Sequence, residues 1–269
     1  MRNPRRIVLS DEVIANYNLS PLSPPTNSLF WQLWLSAGSS SAASALYSPF
    51  VQGIAKGTLD PVVYGGFNVN DAYYCFEGAP DYLAASKRAV DEGLQQFLMQ
   101  KYLSYETYNA TFPQIWRVKD PTSIVPFPVC VEYAAFEATI AQKYDPIYCL
   151  IVMLPCEFLW AWLALELAIN YQQGPQNLYS SWVTDNTGFD GAFAMGMYLD
   201  FYQNEYPNAI DPRTAEGIYG QAMMYELKNF LAATDTPMPP PQVPGETAEP
   251  QGTTSAVNPQ RPVRPPGVP

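Results

Sequence analysis

Between Ser28 and Ala233 apolar residues recur every three or four positions, and strict apolar–polar alternation is nearly absent. That is the period of helices rather than strands. It predicts helices over about 28–46, 61–77, 80–103, 126–143 and 188–205, with two more marked by their first residues. Asp145-Pro146 and Asp211-Pro212 each set a capping side chain before a proline in the first turn. They open a long apolar helix reaching about Tyr171 and a last helix ending near Ala233. Helices of about 15 to 25 residues joined by short links make an all-α bundle.

The stretch Ile147–Tyr171 has the length of a membrane span and carries only two charges, Glu157 and Glu166. A carboxylate at Glu157 would sit near the bilayer centre, where it costs about 2–3 kcal/mol. Pro155 interrupts the run, and no Lys or Arg bias flanks it. The pattern therefore reads as the central helix of a soluble bundle, with no membrane partner. The two ends differ from the middle. From Pro237 to Pro269, 11 of 33 residues are proline, so 234–269 reads as a disordered tail. Residues 1–27, with Pro21, Pro24 and Pro25 close together, read as a loose segment.

Composition narrows the chemistry. The chain has 269 residues, 48% of them apolar, which is enough for one sizeable core. Lys plus Arg is 14 against 25 Asp plus Glu, a net charge of -11, and the few basic clusters lie at the two ends. Nucleic acid is excluded as a partner on that balance. Histidine is absent, which removes histidine-dependent nucleophiles, histidine-ligated haem and two-histidine metal centres. Cys75, Cys130, Cys149 and Cys156 form no CxxC pair, so no structural zinc is expected. No metal and no cofactor are expected at all. No secretory signal is visible, and free thiols suit a cytoplasmic location.

The chain holds 19 Tyr against 13 Phe, which suits a pocket for a flat polar ligand. Val63, Phe67, Asp71 and Tyr74 share one helical face. Ile218, Ala222, Tyr225, Glu226 and Phe230 span another, so Glu226 points toward the core. Cys156 follows Pro155, which loosens the turn before it. Taken singly, each has a structural reading: a satisfied carboxylate, a residue at the core rim, an inert small hydrophobe. Together, a thiol, two carboxylates and several tyrosines could add sulfur to an electrophilic ring and move protons.

Five motifs in register resemble one family. Ser48-Pro49-Phe50 with Gly57-Thr58-Leu59 resembles the opening HPF…GTL signature of the TenA/thiaminase II family. Asn70-Asp71 with Tyr73-Tyr74 resembles its QD..Y helix, Met153-Leu154-Pro155-Cys156 its LLPC, Leu178-Tyr179 with Trp182-Val183 its Y..W run, and Tyr225-Glu226 its last-helix YE. The match covers about residues 28–233. The resemblance implies a haem-oxygenase-like all-α bundle assembled as a homo-oligomer, a tetramer or dimer. It implies hydrolysis of aminopyrimidines: thiamin or its breakdown products. It places Cys156 at the nucleophile and Glu226 at the acid/base. It places Asp71 at the carboxylate that holds the pyrimidine amino group, and Tyr74 and Tyr133 at pocket tyrosines; Phe67 joins these candidates through the helical face it shares with Asp71 and Tyr74.

The departures are as specific as the matches. Ser48 stands where the family has histidine, Asn70 where it has glutamine, and Asn186 where a site tyrosine follows the Y..W run. Trp160 and Trp162 stand where members often carry tyrosine, which predicts a larger, drier pocket floor. These changes also fit a recruited enzyme that steers cyclisation, rearrangement or elimination of another small molecule with Trp160, Trp162, Tyr133 and Tyr74. A non-catalytic ligand-binding protein is the third reading. Nucleophilic Cys156 requires a thiol pKa below the roughly 8.5 of a free cysteine.

Overall fold

The computed structural model describes residues 23–171 and 176–235. Within them the elements are α1 (Leu29–Leu33), a π turn (Trp34–Gly38), α2 (Ser39–Leu46), α3 (Pro49–Lys56), α4 (Pro61–Arg88), α5 (Glu92–Asn109), α6 (Phe112–Ile115), a 3-10 turn (Pro121–Ser123), α7 (Pro128–Lys143), α8 (Ile147–Asn170), α9 (Ser180–Asp185), α10 (Asp190–Glu205) and α11 (Pro212–Ala232). The expected all-α bundle is what the chain forms, and no strand occurs among the described residues. The expected Pro-rich tail lies outside them, except its first two residues. Of the N-terminal segment only residues 23–27 fall inside. There Pro24 is buried, and its carbonyl accepts a hydrogen bond from Trp31 Nε1 at 2.9 Å.

Helix starts follow short capping motifs. Ser48 Oγ accepts from Val51 N, Asp60 Oδ1 from Val62 N, Asp91 Oδ1 from Leu94 N and Asp211 Oδ1 from Thr214 N. Ser48, which replaces a histidine in the resemblance, is thus the N-cap of α3. The expectation of separate helices over 61–77 and 80–103 is wrong: α4 runs unbroken through Pro80 to Arg88. Proline removes one helical hydrogen bond, but its ring is exposed here, and α4 packs along both α5 and α7. The break falls at Ala89, whose backbone turns extended (ψ 127°), just before the Asp91 cap. Helix α3 was not anticipated as a separate element.

α8 is the centre. It is long and apolar enough to cross a membrane, yet 17 of its 24 residues are buried. It packs against α11, α10, α7, α9 and α4. Leu150, Ile151, Leu154, Leu159 and Leu163 are fully buried, each contributing about 1.5–3 kcal/mol of burial. An aromatic layer of Phe30, Trp34, Phe158, Phe189 and Phe193 joins α1, α8 and α10.

α3 ends on Gly57, whose φ of 67° is left-handed. A Cβ there would lie 3.0 Å from Asn177 Oδ1, and Asn177 Nδ2 donates to the Ile54 carbonyl at 2.9 Å. Gly57→Ala therefore strains the helix end and presses on the loop that feeds α9. A loss of about 1–2 kcal/mol is expected in denaturant unfolding; unchanged stability would contradict this account of the α3 terminus.

Candidate functional site

Two adjoining cavities lie along α4 and α8, the outer one walled also by α5 and α9, the inner one by α7 and α11. The outer one is a cleft of about 390 Å³, lined by Asp71, Tyr105, Tyr108, Cys156, Glu157, Trp160, Asp185 and Asn186 among others. The inner one is lined by Phe67, Asn70, Asp71, Tyr74, Tyr133, Trp160, Glu226 and Asn229. Its free volume is about 10 Å³, room for about one water. Asp71 and Trp160 line both. Eight of the residues singled out from the sequence lie at one or other cavity: Cys156 and Asn186 at the outer, Phe67, Tyr74, Tyr133 and Glu226 at the inner, Asp71 and Trp160 at both; Trp162 does not.

Each element supplies its residue for a local reason. On α4 the 3–4 spacing of Phe67, Asp71 and Tyr74 turns them to one side. Asn70, one position on, faces α7: its Oδ1 accepts from Phe127 N at 2.8 Å, fixing the start of that helix. On α8, Pro155 supplies no N–H, so the ladder is interrupted just before Cys156 and Glu157 reach the cleft. Trp160 stacks on Phe67 (5.7 Å, 28°) and donates from Nε1 to Glu226 Oε2 at 3.3 Å. Trp182 of α9 packs behind it at 5.6 Å. Asn186 Nδ2 is bonded to the Trp182 carbonyl at 2.7 Å, so it closes α9 as well as facing the cleft.

The expected larger pocket floor is therefore corrected. Trp160 fills the space between Phe67, Trp182 and Glu226, and the inner cavity is small. Trp162 lines neither cavity; it packs on Trp34 in the core.

Electrostatically the site is acidic. Asp71, Glu157 and Asp185 line the outer cleft with no Lys or Arg among the lining residues. Lys101 pairs with Glu157 at the rim, where Gly191 in the first turn of α10 leaves space for that carboxylate. Burial pushes the Asp71 carboxyl up to about 7. Burial, and then the Asp71 charge, push Glu226 up to about 8 against the opposing influence of the Trp160 hydrogen bond and the nearby Tyr133 hydroxyl. Cys156 is only partly buried, whereas Cys130 and Cys149 are fully so and Cys75, buried too, touches the outer cleft wall. Its thiol nevertheless lies well above the ordinary range, because of desolvation first and the Glu226 and Asp71 carboxylates next. The lowered thiol required of a resting nucleophile is thus reversed in direction: no Lys or Arg lines the cleft to hold a thiolate, and Lys101 at the rim is paired with Glu157.

Sequence reasoning missed Tyr105, Tyr108, Glu157 and Asp185 at the cleft and Glu137 behind it. Glu137 had a usable signal, since it follows Tyr133 by four residues and so shares its helical face. Tyr105 and Tyr108 had none, because nothing local says that α5 faces Asp71.

Against solved structures, the chain superposes on TenA proteins over most of their length. A TenA homologue from P. horikoshii OT3 matches with a TM-score of 0.65 at 17% identity, over 77% of this chain and 98% of that one. The fold is that of the TenA proteins. A TenA family transcription regulator from Silicibacter sp. TM1040 also matches at 0.65, with 13% identity over 78% and 97% of the two chains. A protein provisionally named a TenA-like thiaminase, from Sulfolobus solfataricus P2, matches at 0.58, with 13% identity over 76% and 95%. No protein-family model and no curated protein matches the sequence. The TenA fold thus carries, in this chain, an inner cavity closed by Trp160 and a cleft rich in carboxylates.

The raised carboxyls make stability depend on pH with a definite sign. Asp71, Glu226 and the buried Asp81, itself pushed up to about 7 by burial, stay protonated in the folded chain where the unfolded chain has released its protons. Stability present near pH 5 is therefore lost as pH rises through 7 and 8. The melting temperature is expected to fall between pH 5.5 and 8.5, and Asp71→Asn with Glu226→Gln to flatten that fall. A parallel fall in wild type and double variant would show that these two carboxyls do not carry it.

Proposed function

We propose that the chain is a TenA-like hydrolase that acts on aminopyrimidines, thiamin or its breakdown products, with Cys156 as nucleophile and Glu226 as acid/base. The observation that carries the reading is the position of Asp71: it lines the cleft that holds Cys156 and the cavity that holds Glu226. One flat ring bound through its amino group to Asp71 can therefore face both the sulfur and the acid once Trp160 gives way. The likeness to TenA folds supports the same reading. A cytoplasmic homo-oligomer, dimer or tetramer, using no cofactor, goes with it.

The chemistry follows from the charges. Near neutral pH Glu226 holds its proton and can give it to a ring nitrogen. The ring then becomes cationic, and the cation offsets the acidic surroundings that keep Cys156 protonated. As sulfur bonds to the ring carbon, the thiol proton passes to the Glu226 carboxylate. Glu226 next protonates the departing amine, and as a carboxylate takes a proton from the water that replaces it; the C–S bond then breaks, and the ring-nitrogen proton passes to the departing sulfur, restoring both the aromatic ring and the Cys156 thiol. Asp71 anchors the amino group throughout.

The raised Cys156 thiol favours a second reading, in which the aromatic walls at Trp160, Tyr133 and Tyr74 steer a different small-molecule reaction without a covalent step. Purified full-length chain assayed on aminomethylpyrimidine and thiamin separates the two. Under the first reading substrate is hydrolysed, and Cys156→Ser lowers kcat by more than a hundredfold while affinity stays within a few-fold. If Cys156→Ser keeps most of the activity, the covalent route is wrong. Asp71→Asn should weaken substrate binding about ten- to a hundredfold, the share of a charge-assisted hydrogen bond. Unchanged affinity would mean that the ring is held elsewhere.

A further inference from the structure

Behind the inner cavity lies a carboxyl that the proposed chemistry does not use. Glu137 of α7 has no exposed surface. Its Oε1 accepts a hydrogen bond from Tyr74 Oη at 2.7 Å, while Oε2 has no partner. One turn earlier on the same helix, Tyr133 Oη is also buried and also without a partner. The Tyr133 ring is wedged between Tyr74 (5.0 Å) and Tyr225 (5.3 Å, 14°), so its hydroxyl hydrogen can rotate but the ring cannot swing. Tyr133 and Glu226 line the same small cavity.

The titratable groups whose charges act on Glu137 are all acids. They are Tyr74, Cys75, Asp81 and Tyr82 on α4, Cys130 and Tyr133 on α7, Cys149 on α8 and Glu226 on α11. No cation is among them, so an ionised carboxylate would stand uncompensated in the core.

We propose that Glu137 is a neutral carboxylic acid that positions Tyr133, fixing one direction of hydrogen bonding from Tyr74 through Glu137 and Tyr133 toward Glu226. Oε1 already accepts from Tyr74, so the acid proton sits on Oε2. The Tyr133 oxygen, one turn away on the same helix and not bonded to Oε2 as the side chains stand, is the acceptor that a small side-chain shift gives it. With that lone pair occupied, the Tyr133 hydrogen is left to point into the cavity at Glu226. That shift would satisfy both unpartnered atoms at once. Burial holds the Glu137 carboxyl far above the usual range, which is consistent with the neutral form. A hydroxyl aimed at Glu226 stabilises its carboxylate, so Glu137 sets the proton affinity of Glu226 without touching substrate.

The assignment of Glu226 as the acid/base rests on the function proposed above. The state of Glu137 and the order of the hydroxyls do not, and the test is spectroscopic so that the two can fail separately. Full-length chain carrying carboxyl-labelled glutamate is followed by infrared difference and carbon NMR titration. A protonated-glutamate C=O band is expected to persist at pH 9, to vanish in Glu137→Gln, and to shift in Tyr74→Phe. Glu137→Gln offers the same donor and acceptor as the neutral acid, so the Glu226 midpoint should stay in place. Glu137→Met offers neither, and should raise that midpoint by at least about threefold in proton affinity. A band that survives Glu137→Gln, a Glu137 signal that titrates below pH 7, or a Glu226 midpoint that moves equally in both variants would each overturn the proposal. If Glu137→Met does not fold, the band and the Glu137→Gln midpoint decide it.

Discussion

Helix α8 is apolar on nearly every face, and such a helix is stable in water only when others enclose it. α11, α10, α7, α9 and α4 take their places around it, and the cavities form where this packing is incomplete. Pro155 interrupts the hydrogen-bond ladder near the middle of α8, and the next two residues are the thiol and carboxylate that reach the cleft. A functional group carried on such a helix starts out dehydrated.

Dehydration then governs the electrostatics. Asp71, Asp81, Glu137 and Glu226 enter the bundle interior, and no lysine or arginine lines either cavity to compensate them. Where no counter-ion is available, the cheapest solution is to keep the proton. A carboxyl that keeps its proton near pH 7 is a usable acid. The same setting that prepares Glu226 to donate suppresses the Cys156 thiolate. The proposed substrate removes the conflict by supplying positive charge itself, which makes ring protonation the step on which attack depends.

Tryptophan in place of tyrosine has an effect that composition alone misreads. A larger side chain suggests a roomier aromatic pocket only if it lines the wall. Trp160 instead lies between Phe67 and Trp182 with its N–H on Glu226, so it fills the space and links the two cavities. Ser48 and Asn70, two more departures from the TenA pattern, hold a helix cap and an interhelix contact. Ser48 falls on the frame, Asn70 holds the frame and also lines the inner cavity, and Trp160 and Asn186 fall on the cleft.

The sequence by itself determined that the bundle is all-α, most of its long helices and the starts at Asp145-Pro146 and Asp211-Pro212, because a 3.6-residue period and an Asp before proline are local facts; it did not separate α3, α6 or α9. It also marked α8 as the core helix, and Cys156, Asp71, Tyr74, Tyr133, Phe67, Trp160, Asn186 and Glu226 as candidates through motif order. Pro80 misled it, because the packing that carries α4 past a proline comes from α5 and α7. Only the tertiary structure decided that Trp160 closes the inner cavity, that Glu137 sits behind Tyr74, and that the thiol is pushed up. The physical reason is one of range: periodicity says which side of a helix is buried, but not which helix it meets or how many charges share the space between them.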